Sequence, residues 1–430
     1  MADALHEWGV VGAGGAGFPT DVKLRAKVEL VIVNGAECEP LLHKDKELVL
    51  HHGAEMLSGL RLAMDRVGAR RAVVGIKEKY EDVIRAVSAA APSDVSVHPL
   101  SDTYPAGDEF VLVYDVTGAV IPPGRLPLDV GAVVCNVETL VNLGLKRPVT
   151  HKFLTVAGAV EHPRTLRVPV GTPFADLIAA CGGATVPRPA VLVGGSMMGR
   201  LASGLDEPVT KTTGGLIVLP DDHPLVARYR APWGAIERIG RSACDQCSFC
   251  TELCPRYLLG HPIEPHRAMR ALGFLASKEP QIVGTLYCCE CNLCSLFSCP
   301  ESLDPKNVCV HDKAVARGAG LKWSGDAGAV RPHPLFQDRR IPIRRLIQRL
   351  GLQGFRNEGP LVDVGLSPRR VALPLKQHAG APSVPTVRPG ERVREGDLVA
   401  ARPEGSLGAN VHASLSGRVA SVDEAVVIEA

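Results

Sequence analysis

Nine of the 13 cysteines lie in two runs, and eight of the nine have the spacing that is typical of iron–sulfur ligands. Residues 244–255 read CDQCSFCTELCP and residues 288–300 read CCECNLCSLFSCP. A C-x2-C-x2-C run with a more distant Cys-Pro is the ligand pattern of a [4Fe–4S] cluster, and in two-cluster ferredoxins the fourth cysteine of each run binds the other cluster. We therefore predict two clusters and a protein that carries single electrons. The predicted ligands are Cys244, Cys247, Cys250 and Cys299 for one cluster, and Cys288, Cys291, Cys294 and Cys254 for the other.

Three other interpretations of these cysteines are open. Structural zinc also binds four thiolates, but usually from two separated C-x2-C pairs rather than from three cysteines at equal steps. A disulfide framework is typical of small secreted domains, whereas the first residues of this sequence carry acids and lack the apolar stretch of an export signal. Cysteines that are merely buried as small hydrophobes would not recur at matched spacing. The pattern favours clusters over all three.

Length and charge indicate a soluble protein of several domains. The chain has 430 residues, for which about three domains are expected, and no apolar run approaches the roughly 18 residues that span a bilayer. A formal net charge of +2 and an aromatic content of 4% give no sign of nucleic-acid binding. Many cysteines without an export signal indicate a reducing compartment. We expect a cytoplasmic protein without a transmembrane segment.

A glycine-rich segment near the N-terminus is the second chemical signal. Residues 10–20 read VVGAGGAGFPT, in which Gly12, Gly14 and Gly17 satisfy G-x-G-x-x-G. A dinucleotide-binding helix would already be running where Pro19 stands, so we do not interpret the match as a Rossmann fingerprint. The segment instead predicts a loop whose backbone N–H groups approach a phosphate or a flat ring closely. A tight glycine turn without a ligand is the alternative.

Three further turns, at residues 34–40 (NGAECEP), 104–109 (YPAGDE) and 135–139 (CNVET), carry acids and amides. Taken singly, each is more typical of a capped turn or a solvated acidic face. Together with the glycine segment they resemble, in the same order, the flavin-binding domain of the NADH-oxidising subunit of respiratory complex I. That family carries G-R-G-G-A-G-F-P-T, N-A-x-E-S-E-P, Y-x-x-G-E-E and N-N-V-E-T. The resemblance covers residues 9–145.

This resemblance implies that FMN and NADH share one pocket. The positions matched to the flavin phosphate and ring are Gly12, Gly14, Gly15 and Lys23, and those matched to other flavin contacts are Asn34, Tyr104, Asn136 and Thr139. The flavin and nicotinamide side matches Gly107 and four candidate catalytic acids, Glu37, Glu39, Asp108 and Glu109. The sequence departs from the family at Ala13, Cys38, Asp108 and Cys135, where the family carries Arg, Ser, Glu and Asn.

Apolar patterns predict the secondary structure. Residues 1–150 alternate short apolar runs with helical periods, which indicates an α/β fold with a largely parallel sheet. Residues 172–180 are expected to form a helix capped by Thr172, and residues 339–350 a basic amphipathic helix interrupted by Pro342. In the first section the expected strands are 30–33, 72–76, 110–113 and 132–135, and the expected helices are 47–67 and 81–90.

The whole chain resembles the family that contains the C subunit of the Rnf electron-transport complex and the cobalamin reductase of propanediol-utilisation microcompartments. Residues 387–419 resemble a lipoyl-like barrel-sandwich hybrid, which follows the clusters in the reductase and precedes the flavin domain in the Rnf subunit. The additional Cys289 and the wider gap before Cys299 also look like the reductase. The expected fold is multidomain α/β plus β: a Rossmann-like FMN and NADH domain (1–150), a β-grasp soluble-ligand-binding domain (151–222), a ferredoxin-like helical domain with two [4Fe–4S] clusters (223–325), and a linker helix with a barrel-sandwich hybrid (326–430).

The resemblance implies an NADH-dependent oxidoreductase that passes electrons through FMN and two clusters to a corrinoid, from cob(III)alamin through cob(II)alamin to cob(I)alamin. Such a cobalamin reductase would support a B12-dependent diol dehydratase in a bacterial microcompartment, with a corrinoid adenosyltransferase and a shell protein as partners. No residue pattern marks a corrin site. Two alternatives stay open: an Rnf-type or microcompartment electron-transfer subunit that serves a partner protein, and a scaffold whose clusters are structural.

Overall fold

A computed structural model describes residues 5–274 and 278–430 of the chain. Within these residues, no helix combines the length and the apolar character that crossing a bilayer requires. The chain folds into an N-terminal parallel sheet, a second mixed sheet, a helical cysteine-rich region and two small C-terminal sheets. The expectation of a multidomain fold that begins with an α/β unit is therefore confirmed.

Four parallel strands form the first sheet, and buried valines, leucines and isoleucines of its central strand account for the expected β pattern. Because all neighbours are parallel, the carboxyl ends of the strands open on one edge, where α/β sheets bind ligands. In spatial order the strands are Val95–Leu100, Arg71–Lys77, Leu30–Gly35 and Ala132–Asn136. The helices of this region are Thr20–Lys23, Lys44–His51, Gly53–Val67, Glu81–Ala90, Glu109–Thr117 and Val137–Gly144, with a 3-10 turn at Pro127–Val130.

Two expectations for this region are wrong. Residues 110–113, expected as a strand, lie in the helix Glu109–Thr117, because Asp108 caps its first turn by accepting the N–H groups of Phe110 and Val111. A short apolar run cannot by itself distinguish a strand from a helix. The single helix expected over 47–67 is interrupted at His52, whose backbone is not helical.

The second sheet has five strands around a short helix, and its core is formed by both. In spatial order the strands are Arg164–Pro169, His151–Gly158, Gly215–Pro220, Pro189–Val193 and Arg200–Leu201. The expected helix begins at Phe174, and Thr172 does not cap it. The Thr172 hydroxyl donates to the carbonyl of Pro169 at 2.7 Å instead.

The cysteine-rich region is helical, and it explains the wider gap of the second run. A π-turn, Cys294–Ser298, separates Cys294 from Cys299. A π-turn absorbs one residue more than an α-turn, so the additional residue is accommodated without displacing Cys299. The helices are Pro224–Arg230, Trp233–Ala243, Phe249–Glu252, Pro255–Leu258, Pro265–Ala271, Glu279–Ile282 and Pro305–Gly318, with a 3-10 turn at Val283–Tyr287.

The C-terminal part contacts both the N-terminal α/β region and the cysteine-rich region. Strand Ile341–Pro342 pairs antiparallel with Thr103–Tyr104. The expected helix over 339–350 runs from Ile343 to Arg349, after Pro342, and Arg349 donates to the carbonyl of Cys299 at 3.1 Å. Two small sheets follow: Arg370–Pro374, Ala425–Glu429, Gly417–Val422 and Arg392–Val393 form one, and Val384–Pro385, Leu398–Ala401 and Val411–His412 form the other.

Candidate flavin and iron–sulfur site

The glycine segment forms a closed loop at the ligand-binding edge of the first sheet. The N–H of Gly12 donates to the carbonyl of Phe18 at 2.9 Å, and the N–H of Gly17 donates to the carbonyl of Gly12 at 3.1 Å. The N–H of Ala13 donates to Oγ1 of Thr139 at 3.0 Å. The loop is thereby fixed to the helix that follows strand Ala132–Asn136.

Accessible backbone at Gly15 gives this loop room for a ligand. Gly15 has a φ of 112°, and a Cβ atom placed there would meet no atom of the described residues within 4 Å. A Cβ atom at Gly14 would lie 3.5 Å from Cβ of Asn136. The structure thus brings Gly12, Gly14, Gly15, Asn136 and Thr139 together around open backbone, which fits the phosphate or ring edge of a flavin.

A buried ion network supports the loop, and sequence reasoning did not select its members. Glu138 is fully buried; its carboxylate pairs with Nζ of Lys44 at 3.0 Å and with Lys152, and it accepts the N–H of Phe153. Burial opposes the charge of Glu138, but the two lysines overcome it and hold the pKa of Glu138 below its usual value. Burial lowers the pKa of Lys152 to about 8, in spite of Glu138. Nζ of Lys152 donates to the carbonyl of Ala13 at 3.4 Å, which ties the network to the loop.

Lys23 and Asn34 are near the loop but already have partners in the chain. Nζ of Lys23 lies 3.0 Å from Oε1 of Glu109. Burial lowers the pKa of Lys23, but Glu109 outweighs it and the pKa is raised, so the lysine stays cationic. Nδ2 of Asn34 donates to the carbonyl of Gly107 at 2.9 Å. A Cβ atom at Gly107 would lie 3.0 Å from the carbonyl oxygen of Ala36, so this turn favours glycine.

Glu37 is one of two predicted acids at this edge whose protonation changes near neutral pH, because burial raises the pKa of Glu39 to about 7 as well. Burial and the neighbouring Asp45 carboxylate raise the pKa of Glu37 to about 7. Oδ2 of Asp45 accepts a hydrogen bond from Nδ2 of Asn136 at 3.0 Å. Because Asn136 lies beside the glycine loop, Glu37 and Asp45 are also close to that loop. Burial also raises the pKa of the Cys38 thiol to about 12, so Cys38 is a neutral thiol.

Glu39 clamps a loop of the second sheet. Its two carboxylate oxygens accept the N–H groups of Met197 (2.9 Å) and Met198 (2.8 Å). A Cβ atom at Gly195 would overlap this carboxylate. On the other side of the same loop, the carbonyl of Met197 accepts Nδ2 of Asn292 at 3.1 Å and the hydroxyl of Tyr229 at 3.0 Å. One loop therefore joins an acid of the predicted flavin pocket to the second cysteine run.

Two more of the predicted flavin-site residues contact the cysteine-rich region. Oδ2 of Asp108 accepts Nη2 of Arg256 at 2.8 Å, and the guanidinium lies 3.5 Å from the ring centre of Phe110. Arg256 follows Cys254 by two residues. The hydroxyl of Tyr104 donates to the carbonyl of Cys291 at 2.8 Å. The ligand-binding edge of the first sheet, hereafter the flavin edge, is thus fixed to the cysteine-rich region by Asp108, Glu39 and Tyr104.

The predicted cluster cysteines gather in the two groups that their spacing indicates. Cys250 lies near Cys244, Cys247 and Cys299. Cys291 lies near Cys254 and Cys294, and Cys294 lies near Cys288 and Cys254 and also borders Cys250 of the first group. The additional Cys289 lies in the second group, beside Cys254 and Cys291, and the buried Cys309, which the spacing does not indicate, contacts Cys288.

The backbone of both runs curls in the same way around these thiols. The residues before and after the middle cysteine of each run are left-handed: Gln246 (φ 59°) and Ser248 (φ 67°) in the first, and Glu290 (φ 61°) and Asn292 (φ 66°) in the second. Turns of this kind can direct successive backbone N–H groups toward a common centre, as at iron–sulfur sites. The N–H of Leu303 donates to Sγ of Cys299 at 3.3 Å, a bond of the kind that tunes such clusters.

Among residues 5–274 and 278–430, no group of three His, Cys, Asp or Glu side chains is arranged to hold a single metal ion.

Four known domain families match separate parts of the chain. The Nuo51 FMN-binding domain matches residues 5–144, and the SLBB domain matches residues 153–201. The 4Fe-4S dicluster domain matches residues 243–304, and the RnfC barrel sandwich hybrid domain matches residues 357–430. These matches confirm FMN and iron–sulfur clusters as the cofactors and electron transfer as the chemistry.

Relatives cover the whole length of the chain. The C subunit of the Na(+)-translocating ferredoxin:NAD(+) oxidoreductase complex of Acetobacterium woodii is 35% identical over 60% of this chain and 59% of its own. A chain of the NAD+-reducing [NiFe]-hydrogenase structure in the H2-reduced state is 20% identical, with a TM-score of 0.48 over 76% of this chain and 62% of that one. The cobalamin reductase PduS of Salmonella typhimurium is 43% identical over 99% of this chain and 95% of its own length. The chain therefore belongs to the family of the cobalamin reductase PduS.

Proposed function

We propose that this chain is an NADH-dependent reductase of a corrinoid, taking cob(III)alamin through cob(II)alamin to cob(I)alamin in support of a B12-dependent diol dehydratase. The observation that carries the proposal is the direct contact between the flavin edge and the second cysteine run, through Tyr104 and Cys291. The corrinoid as acceptor rests on the name of the relatives that span the chain. When bound, FMN takes the electron pair of a hydride and releases single electrons, which the two clusters carry.

The chain's own residues would bind and orient the flavin. Open backbone at Gly15 would hold the flavin phosphate or ring edge, and Lys23 would exchange its contact with Glu109 for the phosphate. Asn136 and Thr139 would position the flavin from the end of the neighbouring strand, because both already contact the glycine loop. The buried Glu138 network would keep this loop in place when the pocket is empty or filled.

Protons at the flavin edge would be handled by Glu37. With its pKa raised to about 7 by burial and Asp45, its carboxyl is present in both protonation states at neutral pH. Such a group can give or take the proton that accompanies hydride transfer. Glu39 and Asp108 would instead act as positioning residues, since both carboxylates are occupied by other parts of the chain.

Domain bounds, partners and location are part of the same proposal. We assign a Rossmann-like flavin domain to 1–150, a β-grasp domain to 151–222, a ferredoxin-like domain to 223–325 and a barrel-sandwich hybrid to 326–430. A microcompartment reductase would work in the cytoplasm inside a protein shell, with a corrinoid adenosyltransferase and a shell protein as partners.

Anaerobic reconstitution tests the function. The full chain, supplied with iron, sulfide and FMN, should oxidise NADH and reduce aquocobalamin, followed by absorbance. Failure to take up flavin would contradict any NADH-oxidising role.

A second candidate is an electron-transfer subunit for a partner protein. The first cysteine run favours it, because Cys247 is exposed and the side chain of Phe249 is 48% exposed. In this candidate, a redox partner would contact the chain at this exposed thiol and ring. Turnover of NADH with a dye, but none with cobalamin, would support this candidate over the reductase.

A further inference from the structure

A cleft of about 350 Å³ opens between the second sheet and the second cysteine run. Its volume is within the range of small-molecule sites. Polar side chains dominate its walls, in contrast to the apolar core that the two regions share elsewhere. Its polar lining residues include Arg200, Arg228, Tyr229, Asn292, Ser295 and Lys306.

One wall of the cleft is the chain that carries the cluster ligands. Asn292 follows Cys291 directly, and Ser295 follows Cys294 directly. Arg228 holds this wall in place, because its Nη2 donates to the carbonyl of Ser295 at 3.1 Å and to that of Leu303 at 2.8 Å. A molecule in the cleft would therefore lie against the second cysteine run.

Another wall is the loop that Glu39 clamps. Tyr229 and Asn292, which line the cleft, both donate to the carbonyl of Met197. The N–H of Met197 points the other way, to Glu39. The cleft and the flavin edge are thus separated by the thickness of one loop. Met198, beside the lining residue Gly199, is 56% exposed and offers an apolar rim.

The walls carry more positive than negative charge. The cations Arg200, Arg228 and Lys306 line the cleft together with one carboxylate, Asp304, and Arg200 is already paired with Glu207 outside the lining. The Asp304 carboxylate is occupied, since Oδ1 accepts the Ser295 hydroxyl at 2.7 Å and a backbone N–H of the following helix. Nζ of Lys306 contacts a neutral oxygen, Oδ1 of Asn307, at 3.1 Å. A partly buried cation with a neutral partner is suited to an anionic group such as a phosphate.

We propose that this cleft binds the corrinoid acceptor by its polar periphery, with Lys306 at the phosphodiester and the side-chain oxygens of Asn292 and Tyr229, whose N–H and O–H groups donate to Met197, accepting from the carboxamides. This inference rests on the proposed function and adds the site to it. A corrinoid is larger than the cleft, so its ring would cover the mouth beside Met198 while its side chains enter. The acceptor would then lie beside the second cysteine run.

Binding, measured without turnover, tests the site. The anaerobically reconstituted full chain, at equal FMN and iron content in each variant, is dialysed against cyanocobalamin and against dicyanocobinamide, which lacks the phosphodiester. Lys306→Gln removes the charge and leaves a slightly shorter, polar side chain. Lys322→Gln is the matched control, because Lys322 is exposed and outside the cleft. NAD+ serves as a second phosphate-bearing probe.

Lys306→Gln should weaken cyanocobalamin binding about tenfold and change dicyanocobinamide binding less than twofold, while Lys322→Gln binds both as wild type does. Equal losses for both corrinoids, or none, would show that the cleft does not hold the phosphodiester. A loss confined to NAD+ would make it a dinucleotide site instead. If the wild-type chain binds neither corrinoid, the proposed function itself fails, which the variants alone could not show.

Discussion

Oε2 of Glu39 accepts the N–H of Met197 at 2.9 Å, although 158 residues separate the two in the chain. This bond joins the end of a strand in the first sheet to a loop of the second. Because the carbonyl of Met197 is bound to Asn292 and Tyr229, the same peptide reaches the cysteine-rich region. Glu39 therefore helps to fix the position of the second cysteine run relative to the flavin edge.

Replacing Glu39 by Gln should flatten the pH dependence of stability. Burial raises the pKa of Glu39 from 4.5 to about 7, so the folded chain holds this proton more tightly than the unfolded chain. The contribution of the Glu39 proton to the free energy of unfolding is complete below pH 4.5. It is lost as the pH rises through 7, and the loss is about 3 kcal/mol at most. Urea midpoints of wild type and Glu39→Gln at pH 5 and pH 8 measure it, and the wild type should lose more.

Glu81→Gln provides the control for this measurement, since the Glu81 side chain is 80% exposed. It should keep the wild-type pH dependence. Parallel curves for wild type and Glu39→Gln would mean that Glu39 titrates as a solvent-exposed acid, contrary to its burial.

Gly195→Ala should disrupt the same clamp by steric overlap. Gly195 has a φ of 135°, and a Cβ atom there would overlap the Glu39 carboxylate. Gly183→Ala is a matched control, because Gly183 has a φ of 90° but open space around its Cβ position. Both variants place a side chain at a positive φ, which costs about 1–3 kcal/mol of backbone strain. Gly195→Ala should lower the thermal midpoint more than Gly183→Ala does, and it alone should reduce FMN retention on gel filtration. Equal midpoints would refute the steric argument.

Short motifs predict the parts of the site that depend on neighbouring residues. The glycine loop and the two cysteine runs are of this kind, because their turns are determined by residues within about ten positions. The family patterns likewise place Asn136 and Thr139 beside the loop, where the structure has them.

Contacts between distant segments could not be predicted in the same way. The roles of Glu39 and Asp108 depend on Met197 and Arg256, which lie far along the chain and belong to other regions. A carboxylate in a turn looks the same in sequence whether it faces a ligand or another segment. Glu138 had a signal, since it stands inside the CNVET segment and a buried acid needs cations, but its two lysines come from separate segments of the chain.

Asp108→Asn should weaken the junction between the flavin edge and the cysteine-rich region. Asn still caps the helix Glu109–Thr117, so the change removes mainly the charge that Arg256 faces. Both side chains are nearly buried, and breaking such a pair from one side costs about 3 kcal/mol. Thermal denaturation should show the loss, and stopped-flow absorbance should show slower reduction of the clusters by NADH.

The exposed pair of Arg61 and Asp94 supplies the comparison. Asp94→Asn should lower the thermal midpoint much less than Asp108→Asn does, because exposed ion pairs contribute little, and it should leave cluster reduction unchanged. If Asp108→Asn behaves like Asp94→Asn in both measurements, the Arg256 contact does not hold the junction.

Cys299→Ala should remove the first cluster and leave the second. Cys299 lies with Cys244 and Cys247 in the structure, although it belongs to the other run, and the π-turn before it delivers its sulfur there. Iron content should fall from about eight to about four per chain, and electron paramagnetic resonance of the reduced protein should lose the coupling between two clusters. Cys289→Ser should retain both clusters, because the C-x2-C-x2-C spacing uses Cys288 and leaves Cys289 as the additional thiol. Cys181→Ala, in the core of the second sheet, controls for the loss of any buried thiol. Two intact clusters in Cys299→Ala would overturn the cross-ligation, and loss of the second cluster in Cys289→Ser would make Cys289 rather than Cys288 its ligand.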